Sequence, residues 1–248
     1  MRIRVEGESS KLPPLVFIHG AGASATVWLD HFRHFERTRR VVAMDLPGHG
    51  QSDAWHDVPD DQRIDHYRDA VGVACSHLKI ARAILVGHSM GGLVALAAAA
   101  AHPDKVAGIV LVAAAAGMKA APELMQALAA RPEHQAELLA ELGWSAATPR
   151  ETVERWSRTV TSAAPELVLA DLRAVTVYDA TPLLPTLRTR CLLIGGEDDL
   201  LCPPALLERT AAALPGAERV LVPEAGHQPH LEHPRPTMKA IESFATFV

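Results

Sequence analysis

The run Ile84-Leu85-Val86-Gly87-His88-Ser89-Met90-Gly91-Gly92-Leu93 decides how the rest of the chain is read. Its first residues are apolar and partly β-branched, the composition of a short buried strand. Leu93 to Ala101 is Ala-rich, with high helix propensity. Between the two lies Gly-His-Ser-Met-Gly. A strand that becomes a helix within so few residues needs a tight, strained turn. Glycine is required two residues either side of the serine, because a Cβ there would clash. The turn holds the Ser89 hydroxyl up at the carboxyl end of a sheet, and a helix N-terminus behind it favours negative charge. This is the pattern of a nucleophile elbow, with Ser89 as the candidate nucleophile.

Length and composition bound what the elbow can belong to. The 248 residues suit one large α/β domain, and 48% hydrophobic content gives it an ample core. A net charge of −5 with no Lys/Arg run argues against nucleic acid and against anionic membrane surfaces. Cys75, Cys191 and Cys202 are odd in number and scattered, which fits reduced thiols better than a disulfide frame. Met1 to Gly7 lacks a long apolar region and does not read as a secretory signal. The longest apolar run, Val106 to Met118, is too short to span a bilayer. The expectation is a cytoplasmic, soluble protein.

Outward from the elbow, strands alternate with helices. Ile3 and Val5 alternate with charged residues as in a half-buried edge strand, and Gly7 to Pro14 reads as a turn. Leu15–Ile18 is a buried strand running into the Gly-rich loop 19–23. Ser24 is placed to cap a helix reaching about Phe35, with Val27, Trp28 and Phe32 inward. Val41–Met44 is the next strand, and a polar stretch precedes a helix over about Gln62 to Leu78. Beyond the elbow come strands at Val106–Ala114, Arg190–Gly195 and Glu218–Val222. A helix begins near Pro203, and another closes the chain from Gly226. This alternation predicts an α/β fold, a mostly parallel doubly wound sheet joined by right-handed crossovers. Functional groups then collect at the carboxyl ends of the strands.

The rhythm breaks between Gly117 and Ala180. Leu124/Leu128, Leu138/Leu142, Val153/Trp156/Val160 and Leu169/Leu172 have helical spacing, and Thr148-Pro149-Arg150-Glu151 reads as a capping box. The division is therefore a core of residues 1–116 and 181–248 with an all-helical insertion of about four helices over 117–180. Its position makes it a lid above the serine. The insertion carries six Lys/Arg against nine Asp/Glu, so it shows no strong anion-attracting patch. Trp144 and Trp156 are candidates for pocket lining or for packing.

A serine hydroxyl needs a base, and the base needs a partner to fix its tautomer. In the expected chain order of serine, aspartate, histidine, the strand ending at Gly196 empties into Glu197-Asp198-Asp199. Asp199 is the preferred acid, and Asp198 could simply cap the next helix. His227 follows directly after the last strand and is the candidate base. His230 and His233 fall at the start of the last helix. Those three could also suggest a metal, but no Cys or carboxylate set of ligand spacing accompanies them. The amides of Ala21 and Met90 are the candidate oxyanion donors, each worth roughly 3 kcal/mol of barrier, and the Met90 side chain is a candidate for the acyl pocket.

Together these stretches resemble the α/β-hydrolase superfamily over nearly the whole chain. The resemblance is carried by His-Gly-Ala-Gly (19–22), Asp-Leu-Pro-Gly-His-Gly-Gln-Ser (45–52), Gly-His-Ser-Met-Gly-Gly (87–92), Gly-Glu-Asp-Asp (196–199) with Pro203, and Gly-His-Gln-Pro-His-Leu-Glu-His-Pro (226–234). It implies that His19, Asp45, His49 and Ser52 organise loops, and it supports Asp199 as the acid. Members usually open with a hairpin. Here one short strand precedes Gly7, so the sheet should be one N-terminal strand short. The lid resembles those of small carboxylesterases, the biotin-pathway methyl esterase and enol-lactonases. The implied activity is a serine carboxylic-ester hydrolase acting on a small-molecule ester or lactone, with no metal or organic cofactor. Carbon–carbon bond hydrolysis, lyase chemistry or perhydrolysis on the same triad, and a ligand-sensing receptor of this fold, are the alternatives.

Overall fold

The computed structural model describes residues 1–8, 11–53 and 58–248. Among these residues seven strands form one sheet: β1 (Ile3–Glu6), β2 (Leu15–Ile18), β3 (Val41–Met44), β4 (Ala83–His88), β5 (Val106–Val112), β6 (Arg190–Gly196) and β7 (Glu218–Val222). Their spatial order is β1-β3-β2-β4-β5-β6-β7, and only β1 runs antiparallel to its neighbour. The sheet is the mostly parallel, doubly wound one expected, and β1 alone precedes Gly7. The turn expected over Gly7 to Pro14 lies outside the described residues at positions 9 and 10, as does 54–57 of the polar stretch.

The chain leaves β2 toward β3 on one side and returns to place β4 on the other. Strand order therefore reverses between β2 and β4. Open α/β sheets form their ligand crevices at such switch points, outside the carboxyl ends of the strands. The two loops flanking the reversal are 19–23 and the turn at Ser89.

Helices cover both faces. They are α1 (Leu29–Phe35), α2 (Asp60–His77), α3 (Met90–Ala101), α4 (Pro122–Ala130), α5 (Gln135–Gly143), α6 (Arg150–Val160), α7 (Pro165–Val177), α8 (Pro204–Ala213), α9 (Pro229–Glu232) and α10 (Pro234–Thr246). Alternation along the strands divides the core in two. Val16, Ile18, Val42 and Met44 pack with α2 and α3, while Leu15, Phe17, Val41 and Ala43 pack with Trp28, Phe32, Phe35 and Phe244. Met90 through Ala99 are all buried. An apolar helix with no polar stripe belongs in an interior, and its small side chains let it sit close to the sheet. Helices α4 to α7 make up the chain between β5 and β6, as the spacing predicts.

Three expectations need correction. Ser24 sits ahead of a 3₁₀ turn at Ala25–Trp28, and its side chain makes no cap bond. The Val27 amide, the donor a cap would serve, goes to the Ser24 backbone carbonyl at 3.2 Å, and the Ala25 amide donates to Asp45 Oδ1 at 2.7 Å. The capping box at Thr148 does not form either: α6 starts at Arg150 with no side-chain cap, and the Thr148 hydroxyl donates to Glu232. The terminal helix is broken at His233, which has φ −132° and ψ 71°. A residue before proline is disfavoured in the helical region, and Pro234 follows.

Several histidines lie inside. His31 is fully buried, its Nε2 bonded to Thr237 Oγ1 at 2.9 Å and its Nδ1 without a hydrogen-bond partner among the described residues. His230 lies with ring centroids 4.5 Å from Trp28 and 4.5 Å from His88. Burial pushes His31 and His88 down from 6.5 to about 3, and His230 also well down. Their folded values lie below those of the unfolded chain. Between pH 6.5 and 3 the unfolded chain therefore holds protons that the folded one does not. Stability is unaffected above that window and falls as pH drops through it, by up to about 1.4 kcal/mol per pH unit per histidine. Urea unfolding of His31→Gln between pH 6.5 and 4.5 is expected to give a shallower decline than wild type. An identical slope would show that His31 does not contribute.

Candidate active site

The elbow is built by close approach. A Cβ on Gly87 would lie 2.1 Å from Gly91 O, and one on Gly91 would lie 2.5 Å from Ile18 O. Both obstacles are backbone and cannot swing aside. Ser89 takes φ 51° and ψ −117°, a conformation costing about 1–3 kcal/mol that persists only where the surroundings enforce it. They do: the Ser89 amide donates to Val112 O at 2.9 Å and its carbonyl accepts from Gly92 N at 2.9 Å.

Asp199, 2% exposed, lies in the loop after β6. Its Oδ1 accepts the amides of Leu201 at 2.9 Å and Cys202 at 2.8 Å. Its Oδ2 stands 2.9 Å from His227 Nδ1. A carboxylate at Nδ1 places the proton there and leaves the Nε2 lone pair free. Asp198 does not cap α8. Its Oδ2 accepts the Ser145 hydroxyl of the insertion at 2.5 Å.

Ser89 and His227 line the same two cavities. A small one of about 60 Å³ also has Ala21, Trp144 and Gln228 in its wall. A larger one of about 240 Å³ is bordered by Leu124, Leu142, Val175 and Leu200, and among the described residues Lys119 is the one Lys or Arg in its wall. Among the described residues no hydrogen bond joins the Ser89 hydroxyl to the imidazole. Such contacts are often long without substrate and tighten in the complex.

Ala21 borders the small cavity, and its amide donates to no protein acceptor among the described residues. Met90 is the first residue of α3, where amides lack a helical partner. The Met90 side chain is fully buried in the core and does not line either cavity, and Trp156 also lies away from both. His19, Asp45, His49 and Ser52 hold loops. His19 Nε2 accepts the Leu46 amide at 3.0 Å, Asp45 Oδ2 accepts that of Gln51 at 2.9 Å, and the Ser52 hydroxyl donates to Asp45 O at 2.7 Å.

Two carboxylates beside this site were not singled out from the sequence. Asp171 on α7 is fully buried and accepts from Tyr67 OH at 2.7 Å, His49 Nε2 at 2.8 Å and the Gly22 amide at 3.3 Å. It ties the insertion to the loop that carries Ala21. Glu232 does the same for the loop that carries His227. No group of three or more potential metal ligands gathers among the described residues, and no helix among them is long and apolar enough to cross a membrane.

The family model described as alpha/beta hydrolase fold matches residues 13–234. The chain belongs to the alpha/beta hydrolase family. Within that family it is 31% identical to a pimeloyl-[acyl-carrier protein] methyl ester esterase of Neisseria meningitidis, over 93% of this chain and 94% of that protein. It is 32% identical to the dihydrolipoyllysine-residue acetyltransferase component of the acetoin cleaving system of Pseudomonas putida. That match takes in 88% of this chain but only 60% of the relative's length. Among solved structures, a thermophilic esterase from Thermogutta terrifontis superposes with a TM-score of 0.87 at 28% identity, covering 98% of this chain and 92% of that one.

The close approach at the elbow gives a direct expectation. Gly91→Ala forces a Cβ against the Ile18 carbonyl and should destabilise this hydrolase-family chain by about 3 kcal/mol or more, or prevent folding. A urea midpoint equal to that of wild type would mean that the helix can back away from the sheet at no cost.

Proposed function

We propose that the protein is a serine hydrolase that cleaves carboxylic esters through an acyl-enzyme. The observation that carries this reading is the Asp199–His227 hydrogen bond, beside a cavity that also contains the strained Ser89. His227 Nε2 takes the hydroxyl proton as Ser89 Oγ attacks the carbonyl carbon. Asp199 holds the ring in the required tautomer and stabilises the imidazolium. The amides of Ala21 and Met90 receive the oxyanion. His227 returns the proton to the leaving alcohol, and then activates water to release the acid and free Ser89. Helices α4 to α7 serve as the lid. Esterase relatives in the family support the choice of ester over other bonds.

The two cavities suggest the shape of the substrate. A cavity of about 240 Å³ beside one of about 60 Å³ fits an ester with one larger, apolar arm and one smaller arm.

Ser89→Ala is expected to stay folded and to lose cleavage of short p-nitrophenyl esters by a factor that could approach about 10⁶. His227→Ala should be nearly as damaging. Initial rates on purified, folded variants test this, and hydrolysis left intact in Ser89→Ala would overturn the assignment.

A further inference from the structure

We propose that Glu232 is a positioning residue for His227. Its carboxylate locks the loop carrying the imidazole to residues 143–148 of the insertion. The inference deepens the reading above, because it rests on His227 being the base.

The backbone around His227 is held on every side. Its amide donates to Gly143 O at 2.9 Å, and its carbonyl accepts from His88 Nε2 at 2.8 Å. The amides on either side of it, Gly226 and Gln228, both donate to Glu232 Oε1, at 2.9 and 3.1 Å. The other oxygen, Oε2, accepts the Ser145 amide at 2.9 Å and the Thr148 hydroxyl. A carboxylate offers about four lone-pair sites, and these four donors occupy them. Glu232 is buried, and among the described residues no lysine or arginine pairs with it. Burying an ionised carboxylate is costly unless hydrogen bonds to its charge replace water, and the four donors do so.

The two partners of this lock are unlike in kind. One is the loop of the imidazole; the other is a turn of the insertion between α5 and α6. They touch so closely that a Cβ on Gly226 would lie 2.7 Å from Ser145 N. Ser145 also binds Asp198, the neighbour of Asp199. The residues next to the acid and next to the base thus both end on one stretch of the insertion. With the backbone of 226–228 fixed, only the two side-chain torsions of His227 remain soft. Without the lock, backbone rotation can carry the ring off Asp199, and displacements of about 1 Å can cost about 10²-fold in rate.

Glu232→Gln tests this. The substitution keeps size but turns one acceptor oxygen into an NH₂ group facing two donors. The expected result is a kcat on a short p-nitrophenyl ester lower by about 30- to 100-fold, with KM within about twofold. The low-field proton resonance of His227 Nδ1–H on Asp199 should broaden, while circular dichroism stays native. A variant with lower melting temperature but wild-type kcat and a sharp resonance would overturn the proposal, since a purely stabilising side chain would behave that way. If Glu232→Gln does not fold, Thr148→Val removes one donor of the four. It should lower kcat about threefold at unchanged KM and broaden the same resonance; wild-type values for both would overturn the proposal. The resonance is read without substrate. It therefore judges the lock even if Ser89→Ala retains hydrolysis and the nucleophile assignment fails.

Discussion

The contact between the first turn of α3 and the ends of β2 and β4 governs this molecule. Only hydrogen atoms at Gly87 and Gly91 let the helix begin so near the Ile18 and His19 carbonyls. That distance forces Ser89 into its left-handed conformation, and the ten buried residues Met90–Ala99 hold the helix in place against the strain. The same contact puts Ser89 at the carboxyl end of β4 and Met90 at the first position of α3. Because the strand order reverses between β2 and β4, the loop of Ala21 arrives at the same crevice from the adjacent strand.

The insertion is bound to the core by two buried carboxylates working in opposite directions. Asp171 reaches from α7 into the core and holds the amide of Gly22, next to Ala21. Glu232 reaches from the core into the insertion and holds the amides flanking His227. Both ends of the crevice therefore depend on the insertion being seated. The wall between them is apolar and unlaced by such bonds, formed by residues such as Leu139, Leu142 and Leu172.

Local patterns carried most of the fold. The strands at 15–18, 41–44 and 218–222 are legible because they are short apolar or alternating runs bounded by breakers. Asp199 is singled out by its position after a strand, and its carboxylate stands 2.9 Å from His227 Nδ1. What the sequence hid were bonds between distant residues. Ser24 and Thr148 both have the chemistry of helix caps, but neither side chain makes a cap bond. The Val27 amide that a Ser24 cap would use goes to the Ser24 backbone carbonyl, while Asp45 takes the Ala25 amide and Glu232 takes the Thr148 hydroxyl. Asp171 did leave a trace. It falls on the helix face of Val168 and Val175, where a carboxylate must have partners. Nothing in its local pattern says that they are His49, Tyr67 and Gly22.

The proposed chemistry turns on acylation of the residue held in the strained turn. Trapping the protein with a fluorophosphonate and mapping the modified peptide by mass spectrometry should give a single adduct, on Ser89. An adduct on another residue, or continued turnover of esters by a protein that Ser89 labelling has saturated, would contradict it.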